Sequence, residues 1–277
     1  MRIPARPLVR CLPLPDRVKT RLWAGTHPRV RGQVKDFPYY RGVELAVRGL
    51  ATGYGFAFPS AASYSMLEFG VAEGNSFRLL LHFRDYWLRR LRLRTRVVAF
   101  GFDTFEGLPP PRPGDEGTPW QPGDYNADLP NVRRAIESHG FRDFRLVPGL
   151  FADTIPTVTE PLRVSPPVFV AVDCDYYSST MEVLKLLADV APNGCVVYFD
   201  DVAVNCWSDR TGELRAIREF NEGAFGADAH LSELPLYVET GEMRHYKQMW
   251  RLVRASTDRA PLRAAESAPI VGRLSPL

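Results

Sequence analysis

Cysteine is scarce in this chain, with four in 277 residues (Cys11, Cys174, Cys195 and Cys206) and no closely spaced pair. This argues against disulfides. The two cysteines in apolar, strand-like segments suit buried thiols in a reducing cytosol. Long hydrophobic runs are missing too, since none approaches the roughly 18 apolar residues of a membrane span. The basic N-terminus MRIPARPLVRCLPLP is too broken by proline to form a signal-peptide core. A soluble, cytoplasmic protein with no membrane partner is expected. Charge of one sign is also lacking: 35 basic residues against 32 acidic ones leave +3, too near balance to argue for nucleic acid. No internal repeat or long low-complexity tract is visible.

What is present suffices for a sizeable core, because 45% of the residues are hydrophobic and the length suits one α/β domain with extensions. Three textures divide the chain. Residues 1–60 mix Arg, Pro and aromatics around one helix-like segment (39–51) and read as an N-terminal helical cap. Residues 61–254 alternate short apolar runs with helical patterns. Residues 255–277 are Ala-, Ser-, Pro- and Arg-rich and aperiodic, a flexible tail.

The middle zone yields strands at SMLEFG (65–70), RVVAFGFD (96–103), FRLVPG (144–149), PVFVAVD (167–173) and CVVYFDD (195–201), with QMWRLVRAS closing the set. Helical patterns separate them, among them NSFRLLLHFRDYWLRRL, NVRRAIESHG, STMEVLKLLADVA and TGELRAIREFNEGAF. Alternation of this kind predicts an α/β, Rossmann-like, doubly wound and mostly parallel sheet of seven strands with helices on both faces. Ligands then bind at the strands' carboxyl ends, and acidic residues sit at those ends.

In EFGVAEGNS, Glu68, Gly70 and Gly74 form an acidic, Gly-rich turn where absent β-carbons let backbone approach a ligand, and Ser76 can cap the next helix. The spacing is E-x-G-x-x-x-G rather than the G-x-G-x-x-G of a dinucleotide site, so an ordinary tight turn fits it as well. In GFDTFEGLP, Asp103 stands where a doubly wound sheet commonly receives ribose hydroxyls, although it could equally cap the following turn. Asp173 ends the fourth strand and Asp200-Asp201 the fifth. Three converging anions repel, and a hard divalent cation is the usual relief. Asp175 reads as a helix-entry residue.

Taken in order, EFGVAEGNS, FDTFEGLP, LVPGLFADTIP, VDCDYYSST and VVYFDD resemble the macrocin O-methyltransferase family over roughly residues 60–220. The resemblance implies a class I enzyme using S-adenosylmethionine and Mg²⁺ or another divalent cation on a hydroxylated small-molecule acceptor, a sugar or sugar-bearing secondary metabolite. It allows a homodimer. It carries Glu68, Gly70, Gly74 and Ser76 over to the methionine side of the cofactor, Asp103 to the ribose, and Phe151, Ala152 and Asp153 to a loop bordering the adenine. Asp173, Asp200 and Asp201 become the metal ligands, with Asp173 also beside the cofactor and in the chemistry. Sugar-methylating relatives place a histidine in the loop after the second strand. PWQPGDYNADLP (119–130) has none, and Asp124 is its nearest acidic substitute as general base. His139, in ESHGF, suits a helix C-terminus. Trp120, Tyr125 and Trp207 could wall the acceptor pocket. Two other readings stand beside this one: a metal-dependent glycosyltransferase using the D-x-D of VDCDYY, and a non-catalytic cofactor-binding protein on the same scaffold.

Overall fold

The computed structural model describes residues 38–53, 58–202, 208–234 and 249–255. Six helices and seven strands occur among them: α1 (Pro38–Thr52), β1 (Ser63–Phe69), α2 (Asn75–Arg90), β2 (Arg96–Asp103), α3 (Leu129–Ser138), β3 (Phe144–Pro148), α4 (Phe151–Val164), β4 (Pro167–Val172), α5 (Tyr177–Val190), β5 (Val196–Phe199), α6 (Gly212–Asn221), β6 (Ala229–Glu233) and β7 (Met249–Arg254). The strands form one sheet in the order β3-β2-β1-β4-β5-β7-β6. The first five are mutually parallel, whereas β7 runs antiparallel to both β5 and β6. β4 and β5 are buried at every position, as their Val- and Phe-rich runs require of strands covered on both faces.

Two apolar layers sandwich the sheet. One joins Tyr39, Val43 and Val47 of α1, Phe77, Leu80 and Leu81 of α2, and Val132 and Ile136 of α3 to one face. The other joins Val158 and Leu162 of α4, Val183, Leu184 and Leu187 of α5, and Ala216, Ile217 and Phe220 of α6 to the opposite face. The doubly wound, seven-stranded architecture is the one expected. The terminal zones, 1–37 and 256–277, lie outside the described residues, as do Cys11, Cys206, Trp207, His27 and His245. Cys174 and Cys195 are buried free thiols.

Local differences from the expectation have physical causes. GLFADT is not a loop: Phe151 opens α4, whose internal Pro156 and Pro161 hid a helix from propensity reasoning. The strand AHLSE, too polar to stand out, pairs with β7. α5 starts at Tyr177, two residues ahead of the STMEVLKLLADVA pattern, with no side-chain cap of its own. Likewise α2 is entered through Gly74 in the left-handed region, and Ser76 does not cap it.

Gly70 shows what the sheet demands of its turns. Its φ is 92°, and a β-carbon there would lie 1.6 Å from the Asp173 carbonyl oxygen. The glycine is needed for the approach of β1 to β4. Gly123 has a similar φ of 88° but open space around it. Gly70→Ala should therefore destabilise the protein by more than ~3 kcal/mol, against ~1 kcal/mol for Gly123→Ala, in urea unfolding. Equal costs at the two positions would refute the steric account.

Candidate active site

The sheet's hydrogen bonding continues one residue past its strands and fixes the backbone just beyond them. Gly70 N–H donates to Phe102 O (2.9 Å), Asp173 N–H to Phe69 O (2.8 Å), Asp200 N–H to Val172 O (3.0 Å) and Gly149 N–H to Asp103 O (2.9 Å). A cavity of about 500 Å³ opens above these ends, where the strand order reverses between β1 and β4. Gly70, Ser76, Asp103, Phe151, Ala152, Asp173, Asp200 and Asp201 line it. Of the remaining sequence-predicted residues, Glu68, Gly74, Asp124 and Asp153 are not in its wall.

Asp103 organises the side of the cavity nearest β2. Its Oδ2 accepts from the N–H groups of Val71 (2.7 Å) and Ala72 (2.8 Å), and its Oδ1 accepts from Phe105 N–H (2.6 Å). The carboxylate thus ties the β1–α2 turn to the end of β2, a task its position in FDTFEGLP does not disclose. Glu68 lies beneath the cavity wall, fully buried, with Oε1 accepting from the Ser76 hydroxyl at 2.7 Å. Burial pushes its carboxyl up to about 8, opposed by hydrogen bonds from the Ser76 and Tyr39 hydroxyls. It reaches the cavity only through Ser76, which does line it. Gly74 supplies the left-handed entry to α2, and Asp153 is exposed in the first turn of α4.

On the other side, burial raises Asp173 well above the usual carboxylate range, reinforced by Asp200 and Asp201. Burial lifts Asp201 to about 8, with Asp175 and Asp200 adding to it, and lifts Asp175 to about 7. Asp175 is more than the helix-entry residue its sequence position suggests, for it lines the cavity with a φ of 64°. Tyr198 donates its hydroxyl to Asp200. This partner was legible, since residues two apart on a strand share a face. Asp201 Oδ2 is buried with no hydrogen-bond partner among the described residues. Among those residues, no three His, Cys, Asp or Glu side chains are disposed to hold a metal ion as they stand.

The β2–α3 loop covers the cavity with Thr104, Gly107–Pro110, Arg112 and Tyr125. Asp124 is exposed, and its Oδ2 closes a turn by accepting from Gln121 N–H at 2.8 Å. The Trp120 indole donates to the Tyr125 hydroxyl at 3.0 Å and steadies that exposed ring at the cavity's edge. Asp115, which sequence reasoning missed, is buried and anchors the loop: it accepts from Arg112 N–H (2.8 Å), Ser178 N–H (2.8 Å) and the Ser178 hydroxyl (2.7 Å). It thereby caps α5 from sixty-odd residues away, a contact that leaves no local sequence signal. His139 sits at the C-cap of α3 with Nδ1 2.6 Å from Ala135 O, a structural place.

A doubly wound sheet with a cavity at the β1/β4 switch point and an acid at the end of β2 defines a Rossmann-like domain. The chain belongs to the macrocin-O-methyltransferase (TylF) family, whose sequence profile matches residues 64–229. It is an O-methyltransferase, and the glycosyltransferase reading of VDCDYY falls away. Similar folds include the crystal structure of CalS11, a calicheamicin methyltransferase, at 20% identity over 90% of this chain and 89% of that one (TM-score 0.59). The O-methyltransferase NovP is 20% identical over 78% of this chain and 79% of its own (TM-score 0.49). No curated protein sequence matches the chain. Among the described residues no helix is long and apolar enough to cross a membrane.

Glu68 yields a pH prediction. Its folded-state value lies above the ordinary 4.5, so folding favours the neutral acid; the stability it contributes is intact below about 4.5 and is lost as pH rises through about 8. Glu68→Gln cannot ionise and should flatten the fall in urea midpoint over that window. A variant that keeps the wild-type slope would exclude Glu68 as its source.

Proposed function

We propose that the protein moves a methyl group from S-adenosylmethionine to a hydroxyl of a small molecule, a sugar or sugar-bearing secondary metabolite, with a divalent cation assisting. Family membership supports the acceptor class. The observation that carries the assignment of roles is the gathering of Asp173, Asp200 and Asp201 along the wall of the cavity that Asp103 also lines. The cavity volume, about 500 Å³, suits a ligand of that size.

S-adenosylmethionine supplies a methyl group already activated on a sulfonium, so the chain's part is to orient the acceptor oxygen and relieve it of a proton. Backbone from Gly70 to Ala72, held in place by Asp103, forms the floor beneath the cofactor, and Phe151 and Ala152 form its border. A carboxylate offers roughly four acceptor sites. Three on Asp103 are filled by backbone, which leaves about one for a ribose hydroxyl. Asp173, Asp200 and Asp201 would hold Mg²⁺, which when bound lowers the pKa of a coordinated hydroxyl. The donor set fits: all are carboxylates, as a hard cation prefers, burial holds Asp173 and Asp201 above the usual carboxylate range, and Asp201 Oδ2 is unsatisfied. A shared ion requires the side chains to draw together. Asp124 has its carboxylate engaged in the 121–124 turn and stands apart from this wall.

Calorimetry should show S-adenosylhomocysteine binding without added metal, weakened at least ~10-fold by Asp103→Ala as the turn loses three bonds. Unchanged affinity would refute the assignment of Asp103. In a radiolabelled methyl-transfer assay, EDTA should stop turnover and Mg²⁺ restore it, while full activity in excess chelator would remove the cation from the reaction. Asp124→Asn should keep turnover within about threefold of wild type. A ~10²-fold loss would instead restore it as the general base.

A further inference from the structure

We propose that Glu213, on α6, is a positioning residue that sets Asp201 for cation binding; this rests on the metal-assisted reading above. The three acids at the strand ends are not fixed alike. Backbone N–H groups of Asp173 and Asp200 are held by carbonyls of the neighbouring strands, Phe69 and Val172. Asp201 lies one residue beyond the last of these sheet bonds, and its N–H donates to Glu213 Oε2 at 2.7 Å. What the sheet does for two of the acids, a side chain from α6 does for the third.

Glu213 is an expensive way to do this. It is 1% exposed, and its Oε1 is buried with no hydrogen-bond partner among the described residues. A carboxylate buried with so few bonds costs stability. The inward neighbours on the same helix, Ala216, Ile217 and Phe220, are apolar and pack into the core, as an amphipathic helix prefers. A polar residue that breaks this pattern and still persists in the fold points to a role in function. Asp201 and Glu213 also border one small pocket with Asp175, Tyr176 and Thr211, of about 20 Å³, room for about one water-sized group. Asp201 therefore borders both the main cavity and the small pocket that Glu213 lines.

The test is Mn²⁺ binding to the full chain, followed by electron paramagnetic resonance, with S-adenosylhomocysteine affinity measured in parallel. Glu213→Gln keeps an oxygen able to accept the Asp201 N–H and should bind Mn²⁺ within about threefold of wild type, whereas Glu213→Leu lacks one and should bind at least ~10-fold more weakly. Both should retain wild-type S-adenosylhomocysteine affinity. If the leucine variant does not fold, Glu213→Asp, whose shorter arm withdraws the acceptor, replaces it with the same expectation. Wild-type Mn²⁺ affinity in these shortened or apolar variants, with Asp173→Asn losing it, would overturn the inference and leave the metal reading standing. A glutamine variant as weak as the leucine one would overturn it in favour of a charge effect. No Mn²⁺ binding by the wild type would overturn both.

Discussion

The site depends on the parallel pairing of β1 with β2 on one side and β4 on the other. Because Phe69 is level with both Phe102 and Val172, and Val172 with Phe199, four strands finish together along one edge. The first residues beyond that edge inherit the sheet's hydrogen bonds, so Gly70, Asp173 and Asp200 have almost no backbone freedom. Side chains placed this way need no further local support. Close approach has a cost as well: with the Asp173 carbonyl where a Gly70 β-carbon would lie, the position accepts no other residue without movement.

The same edge concentrates negative charge in a place poor in water. Glu68, Asp173, Asp175, Asp201 and Glu213 are all held above their ordinary range, with burial the largest cause in each. Such a cluster stores unfavourable free energy in the fold. The apolar layer behind supports it. Tyr39 of α1 packs edge-on against Phe169 and Tyr198, so the helix that opens the described chain buttresses the strand that carries Asp200.

The fold was largely legible, because β-branched runs ending in Gly or Asp and helices of clear periodicity announce a parallel α/β sheet without tertiary help. Where reading failed, long-range packing had overridden local preference. α4 forms despite two prolines because Val158 and Leu162 bury against the sheet, and β6 is a strand because β7 is there to pair with. At the cavity, lining residues at strand ends were legible by position, while those bonded across the chain were not. Glu213 and Asp115 look like surface acids in sequence, and only the meeting of distant segments gives them their tasks. The place of Asp103 at the cavity was legible, though its hydrogen bonds to the neighbouring turn were not.

The anchoring of the β2–α3 loop by Asp115 bears on how this scaffold could be altered. Acceptor preference in such enzymes resides in loops, and loop exchange between relatives is the natural route to new products. Here the loop is not a separable module. Replacing it would take away the group that satisfies Ser178 N–H and the Ser178 hydroxyl, leaving the start of α5, and with it the Asp173–Asp175 segment just ahead, without its cap. Residues 104–128 and the first turn of α5 are one heritable unit, and a graft that carries the first without Ser178 transplants half of a joint.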